Sequence, residues 1–375
     1  MISPAFFYQF LQKRGLEFYS GVPDSLLKNL CAYLTHNAEK KNHIIAANEG
    51  GSVGLAAGYY LATGNIPVVY MQNSGLGNTV NPLLSLMDKE VYNIPVLLLI
   101  GWRGEPEVKD EPQHVKQGKV TIPLLEAMGI RHEIMETEET LLTIQLERSI
   151  RFMEETKEPF ALVIRKGSFE EYKRPENTLP VYELSREQAI GQIVSYMEDS
   201  DIVVSTTGMI SRELFEYREA TGQGHKRDFL TVGSMGHASQ IALGIALNKP
   251  ERRVFCIDGD GATIMHMGAL GIIGSMNPSN YLHIVLNNGA HDSVGGQPTI
   301  GFQLDLPQIA QACGYKKVIS VENEQALQEA LNHLSEQPTP LLLEVKVKKG
   351  ARKDLGRPTT TPIENKENLM EFLNK

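Results

Sequence analysis

Short apolar, β-branched runs recur along the chain, each ending in a polar turn that leads into a stretch with helical spacing. In the first half these runs are His43–Asn48, Ile66–Gln72, Ile94–Trp102 and Phe160–Lys166. In the second half they are Asp201–Gly208, Arg253–Asp260, Tyr281–Asn288 and Thr339–Val347. Unbroken apolar runs of this length are strands buried on both faces, the pattern of a parallel sheet covered by helices. Two sets predict an α/β protein of two doubly wound, mostly parallel-sheet sandwiches. Between them, Arg165–Ala189 is polar, carries two prolines and lacks periodicity. The predicted division is a first domain over 1–168, a linker over 169–184 and a second domain over 185–375, opening at a helix cap on Ser185. The residues after Val347 are polar until the last turns, which predicts a surface extension ending in a short helix.

Composition narrows the function classes. A chain of 375 residues accommodates two domains, and 42% hydrophobic with 22% charged residues is an ordinary globular balance. A net charge of −9 argues against a nucleic-acid partner, which would demand a basic face. Three cysteines with no CxxC pair predict neither a disulfide framework nor a zinc site. The N-terminus lacks the pattern of a secretory signal. The longest apolar run, Ile94–Ile100, is far shorter than the roughly 20 residues of a membrane helix. A cytoplasmic location without a membrane partner is expected.

In open α/β sheets ligands sit beyond the carboxyl ends of the strands. Two such ends stand out. The run ending in "DGDGA" places Asp260 after one strand, and the run ending in "NNGA" places Asn288 after the next. They are 288 − 260 = 28 positions apart, the length of one strand–turn–helix–strand unit. Read alone, either is a common turn. Read together after two buried strands, they put a carboxylate and an amide oxygen at one sheet edge, with the Ala290 carbonyl close by. Such hard oxygen donors suit Mg²⁺, which also takes phosphate oxygens. A helix starting at Ala262 would offer N–H groups to an anion.

This arrangement resembles the diphosphate motif of the thiamin-diphosphate-dependent enzymes, in which GDG is followed some two dozen residues later by NN. The resemblance implies thiamin diphosphate and Mg²⁺ as cofactors, with Asp260, Asn288 and Ala290 as metal ligands. Gly259, Gly261 and Ala262 would lie along the diphosphate. The loops Thr206–Glu213 and Gly233–Ala238 resemble those flanking this cofactor, so Gly208, Met209, Ser234, Met235 and His237 are candidate contacts. The first domain would bind the pyrimidine and the second the diphosphate, with no middle domain.

The resemblance also assigns Glu49. By itself, a glutamate opening the helix of "NEGGSVGLAAGYYLATG" is equally a favourable partner for the helix dipole. In the family, a glutamate at this strand-to-helix corner drives the aminopyrimidine tautomer that makes the cofactor reactive. Asn73, in "NSGLGN", would line the pyrimidine end. Family members pair the pyrimidine domain of one subunit with the diphosphate domain of another. A homodimer or larger assembly with interfacial active sites is therefore expected.

Two further stretches resemble the decarboxylase branch. "YSGVPDSLL" places Asp24, and "DEPQHVKQG" places His114, where an acid and a histidine handle protons. Read alone, they are a turn aspartate and a surface histidine. Simple pyruvate decarboxylases carry a glutamate six residues after the second asparagine; here Val294 stands there, which moves the expected substrate away from pyruvate. Chain length and the loops together resemble the phosphonopyruvate decarboxylases, with the sulfopyruvate decarboxylases as the alternative. The expected substrate is a small anionic 2-oxo acid. Ser25, Arg103, Gln113 and Lys116 are candidates for its second anionic group, with Lys109, Lys119, Arg352 and Arg357 as weaker ones.

Overall fold

The apolar runs become parallel strands. In the computed structural model, which describes residues 1–173 and 182–375, the first half contains β1 (Tyr19–Gly21), β2 (His43–Ile45), β3 (Val68–Gln72), β4 (Leu97–Gly101), β5 (Arg131–Ile134) and β6 (Phe160–Ile164). They form one sheet in the order β2-β1-β3-β4-β6-β5, every pair parallel. Helices α1 (Pro4–Lys13), α2 (Lys28–Asn37), α3 (Glu49–Thr63), α4 (Leu76–Pro82), α5 (Pro112–Ala127) and α6 (Glu139–Thr156) connect the strands. Alternate residues of one strand feed two separate cores. Leu97 and Leu99 join the layer containing Phe7 and Leu30, whereas Leu98 and Ile100 join the layer containing Val53 and Leu125. Burial on both faces is why these strands read as continuous apolar runs.

The second half repeats the plan with β7 (Ile202–Ser205), β8 (Asp228–Leu230), β9 (Val254–Gly259), β10 (Tyr281–Asn287), the short antiparallel pair β11 (Ala290–His291) and β12 (Gln297–Pro298), then β13 (Lys317–Val321) and β14 (Leu341–Lys346). Its large sheet runs β13-β14-β10-β9-β7-β8. Its helices are α7 (Arg186–Tyr196), α8 (Met209–Thr221), α9 (Ala238–Asn248), α10 (Asp260–Met265), α11 (Gly268–Met276), α12 (Leu306–Ala312), α13 (Glu324–Asn332) and α14 (Pro362–Leu373). Counting only the six strands of each large sheet in chain order, both sheets read 2-1-3-4-6-5. The chain thus carries one topology twice, in compact units spanning Met1–Asn177 and Thr178–Lys375.

Four strands of the large sheets are absent from the sequence reading, each for a local reason. β1 and β8 have three residues each, too few for a pattern. β5 (RHEI) and β13 (KVISV) lie at sheet edges and are mostly half-buried, so they lack an apolar run.

The first residues of the expected linker pack with the first unit. Phe169 is buried and pairs with Ile2, and Tyr172 packs edge-on against Tyr33 at 5.0 Å, so the first unit's packing runs past residue 168. Positions 174–181 of that linker lie outside the described residues. On the far side, Leu184 is buried and its carbonyl accepts from Lys348 N at 2.8 Å. Ser185 caps α7 in a capping box with Gln188.

The C-terminal stretch is more than a surface extension. Arg212 donates to the carbonyls of Leu355 and Gly356, and Arg352 pairs with Glu187 at 2.9 Å, holding the tail along α7 and α8. α14 then shields the edge strand β8: Asn365 accepts from Leu230 N at 3.0 Å and donates to Asp228 O at 2.9 Å. Among the described residues, no helix is long and apolar enough to cross a membrane.

Candidate active site

The site residues of the first unit gather at the carboxyl ends of its strands. Asn48 closes the chain into α3 by accepting from Gly51 N at 2.8 Å, which makes Glu49 the first helical residue. Glu49 is buried, with Oε2 accepting from Asn78 Nδ2 at 2.7 Å. Its carboxylate lies so close to Gly75 that a side chain there would overlap it, so the glycine in "NSGLGN" makes room for Glu49.

Asp24, after β1, is fully buried. It accepts from Gln72 Nε2 at 2.8 Å and from Leu26 N at 3.0 Å, and its carboxyl lies against Gly101. Burial pushes its pKa above the usual aspartate range, and the bonds from Gln72 and Leu26 only partly offset this. His114 is buried on the first turn of α5, with Nδ1 3.3 Å from Gln117 Oε1. Burial, followed by the charge of Arg103, lowers its pKa, so the ring is neutral at pH 7.

Two of the candidates are already engaged within the unit. Asn73 donates through its amide to Arg103 O at 2.8 Å and Thr121 Oγ1 at 2.9 Å, and its Oδ1 accepts from Arg103 N at 3.1 Å. It ties the end of β3 to the loop after β4. Arg103 is not a free cation. It makes a two-pronged pair with Asp110, Nε donating to Oδ2 at 2.7 Å, and its third arm donates to Ser25 Oγ at 2.9 Å. Burial alone would raise the Asp110 pKa, but Arg103 and two backbone N–H groups hold it well below the usual range. Ser25 in turn lies 3.5 Å from Asp24, so Asp110, Arg103, Ser25 and Asp24 form one polar chain. Gln113 sits beside His114, and Lys116 projects from α5 into solvent. Of the weaker cation candidates, Arg352 is paired with Glu187, Glu216 and Asp354.

In the second unit Asp260 and Asn288 do meet. Both are buried; the Asp260 carboxylate accepts from the Thr299 hydroxyl, and the backbone N–H groups of Asn288 and Gly261 lie near enough to lower its pKa. Even so, burial pushes Asp260 up to about 6. A buried carboxylate whose charge is incompletely compensated, beside an amide oxygen, is the donor set a hard divalent cation takes. Asn288 Oδ1 accepts from Ala290 N at 3.1 Å, which folds the NNGA turn and brings buried Ala290 to the same corner. The helix here starts at Asp260 rather than at Ala262 and lasts only to Met265.

The remaining candidates surround this corner. Gly208 has φ 99°, a conformation side chains resist, and lies against Ser293. Met209 begins α8 next to it. Gly259 ends β9 against Ile210, Ala262 is buried in α10, and Gly261 faces the His291 ring and the Met235 methyl. Burial lowers His291 to about 4, leaving that ring neutral. Ser234 has φ 46°; His237 is exposed, with Nδ1 3.2 Å from the Ser234 and Met235 carbonyls and its ring 4.5 Å from that of His266.

The sequence reading missed the groups that support this corner. Asn287, the first of the paired asparagines, donates to buried Glu344 at 2.8 Å and to Gly301 O at 3.0 Å. Thr299 holds Asp260, and Asp292 holds Asn288 Nδ2 at 2.7 Å. Thr299 and Glu344 lie far along the chain from the residues they hold, and Asp292, though only four positions from Asn288, sits in a loop without regular spacing. Only the density of polar residues in "NNGAHDSVGGQPT" hinted at them.

Comparison with known proteins matches both halves of the chain. Residues 4–126 match the family profile "Thiamine pyrophosphate enzyme, N-terminal TPP binding domain", and residues 206–345 match its C-terminal TPP binding domain. A phosphonopyruvate decarboxylase of Streptomyces viridochromogenes is 32% identical, the alignment covering 96% of this chain and 92% of that one. One from Streptomyces hygroscopicus is also 32% identical, over 99% and 94%. A sulfopyruvate decarboxylase of Methanosarcina acetivorans is 31% identical, over 86% and 85%. With both halves matched and relatives aligned along nearly its whole length, the chain belongs to the thiamine pyrophosphate enzymes.

Proposed function

We propose that the chain decarboxylates 3-phosphonopyruvate to phosphonoacetaldehyde and CO₂, with thiamin diphosphate and Mg²⁺, in phosphonate biosynthesis. The observation that carries the cofactor reading is the buried Asp260–Asn288 corner, a hard-oxygen site at the carboxyl ends of neighbouring strands. The substrate rests on the full-length likeness to two phosphonopyruvate decarboxylases and on Val294 in place of a glutamate.

In this reading Asp260, Asn288 and the Ala290 carbonyl hold Mg²⁺. Gly208, Met209, Ser234, Met235, His237, Gly259, Gly261 and Ala262 line the diphosphate. When bound, the cofactor supplies the electron sink for the pair released as the bond between carboxylate and keto carbon breaks. Glu49, its Oε2 fixed by Asn78, would hold the proton shared with the aminopyrimidine ring of the bound cofactor. One proton must then reach the former keto carbon as CO₂ leaves. Asp24 is the better donor, because burial keeps its carboxyl protonated to higher pH while His114 is neutral. His114 orients the substrate from α5. Ser25, Gln113 and Lys116 receive the second anionic group, with Arg103 contributing charge shared with Asp110. The chain works as a homodimer or larger, one subunit's Glu49 completing another's diphosphate site. Exposed Leu55 and Leu61 on α3, and Ile272 and Met276 on α11, support such an interface.

The likeness to the Methanosarcina protein favours sulfopyruvate as the second reading. Comparing kcat/KM for phosphonopyruvate, sulfopyruvate and pyruvate, with cofactor and Mg²⁺ present, decides between them. Preference for phosphonopyruvate is expected; preference for either other acid overturns the choice.

A further inference from the structure

An asparagine that binds a cation must present its oxygen, yet its amide can turn over and present N–H₂ instead. At Asn288 the choice is fixed from behind. Its Nδ2 donates to Asp292 Oδ2 at 2.7 Å, and a carboxylate accepts only from the nitrogen end. Asp292 is itself immobilised. The same Oδ2 accepts from Arg186 Nη1 at 2.9 Å and from Gly350 N at 2.9 Å. Arg186 is in turn held by a two-pronged pair with Glu213, Nε to Oε2 at 2.7 Å and Nη2 to Oε1 at 2.9 Å, with both side chains almost wholly buried. Arg186 of α7, held by Glu213 of α8, and Gly350 of the C-terminal tail thus converge on one carboxylate oxygen, whose remaining contact is the Asn288 amide.

We infer that Asp292, braced by Arg186 and Glu213, is a positioning residue that fixes the Asn288 amide with its oxygen toward the metal. The inference rests on the reading that Asn288 is a metal ligand. Groups that orient metal ligands from behind contribute about 10–100-fold in metal affinity. Asp292 itself contacts neither cofactor nor substrate in this scheme. The Arg186–Glu213 pair does not depend on Asp292, so the fold has its own support when Asp292 is changed.

The test is a Mg²⁺ titration of the full chain with thiamin diphosphate present, read by quenching of intrinsic fluorescence rather than by turnover. For Asp292→Asn, the Mg²⁺ dissociation constant should rise about 10–100-fold, while kcat at saturating Mg²⁺ stays within a few-fold of wild type. The exchanged double variant, Asn288→Asp with Asp292→Asn, restores one carboxylate and one amide donor across the same pair. It should bind Mg²⁺ at least tenfold more tightly than Asn288→Asp alone, where two carboxylates face each other. Unchanged Mg²⁺ affinity in Asp292→Asn overturns the inference, as does a kcat loss that Mg²⁺ does not restore. If the single variant does not fold, the double variant against Asn288→Asp decides alone, and no gain there overturns the inference. Asp260→Asn separates the two levels. If it too leaves Mg²⁺ affinity unchanged, the metal reading fails; if it abolishes binding while Asp292→Asn does not weaken it, only the positioning role fails.

Discussion

The two units share one strand order, and their third-strand ends form the same knot in different chemistry. In the first unit, Asn73 after β3 accepts from Arg103 N in the loop after β4. In the second, Asp260 after β9 accepts from the Thr299 hydroxyl in the segment after β10, beside the Asn288 N–H. Each side chain ties the third strand's turn to the fourth's. The amide of Asn73 also donates twice, to Arg103 O and to Thr121, so its polarity is satisfied inside the unit. A carboxylate cannot donate, and Asp260 is left with a buried charge that a cation would relieve. One atom's difference at an equivalent corner separates a fully satisfied structural tie from a buried carboxylate open to a cation. The second-strand corner reverses the pattern: Glu49 stands after β2, whereas Ser234–His237, after β8, carries no carboxylate.

The sharpest break is to exchange the chemistry. Asp260→Asn should abolish Mg²⁺-dependent retention of thiamin diphosphate in gel filtration, and activity with it. Next, Glu49→Gln should lower kcat by about 10²–10⁴-fold, the range expected of a lost proton-transfer group, with cofactor retention unchanged.

These two corners were legible because strand-end turns are written contiguously. Asp260, Asn288 and Glu49 each follow an apolar run directly, and the sheet order then brings Asp260 and Asn288 together. Asp24 was placed by its loop although β1, with only three residues, went unrecognised as a strand. Charge state was not legible. Arg103 reads as a free cation until Asp110 folds back onto it, and Asn73 reads as a free amide until Thr121 on α5 reaches it. Long-range partners such as Arg186 and Asp292, 292 − 186 = 106 positions apart, leave no local pattern. The repeated strand order was equally hidden, since topology survives without sequence repetition.

Asp24→Asn should lower kcat by about 10²-fold or more. Its raised pKa sets the sign of the pH dependence: the donor is present below that pKa and lost as pH rises through it. The wild-type kcat profile should therefore fall on its alkaline side, and Asp24→Asn should flatten that limb. The smallest effect belongs to the neutral corner. Asn73→Ala removes bonds to buried partners and should cost about 1–3 kcal/mol by chemical denaturation, leaving the Mg²⁺ dependence of cofactor binding untouched. A shift in that dependence would erase the contrast between the corners.

The most direct measurement is cofactor binding by three proteins side by side: wild type, Glu49→Gln and Asp260→Asn, each titrated with thiamin diphosphate at fixed Mg²⁺ and assayed for CO₂ release. Glu49→Gln is expected to bind like wild type and release almost no CO₂, and Asp260→Asn to fail at binding. Wild-type binding by Asp260→Asn, or near-normal CO₂ release by Glu49→Gln, would contradict the division of labour between the two corners.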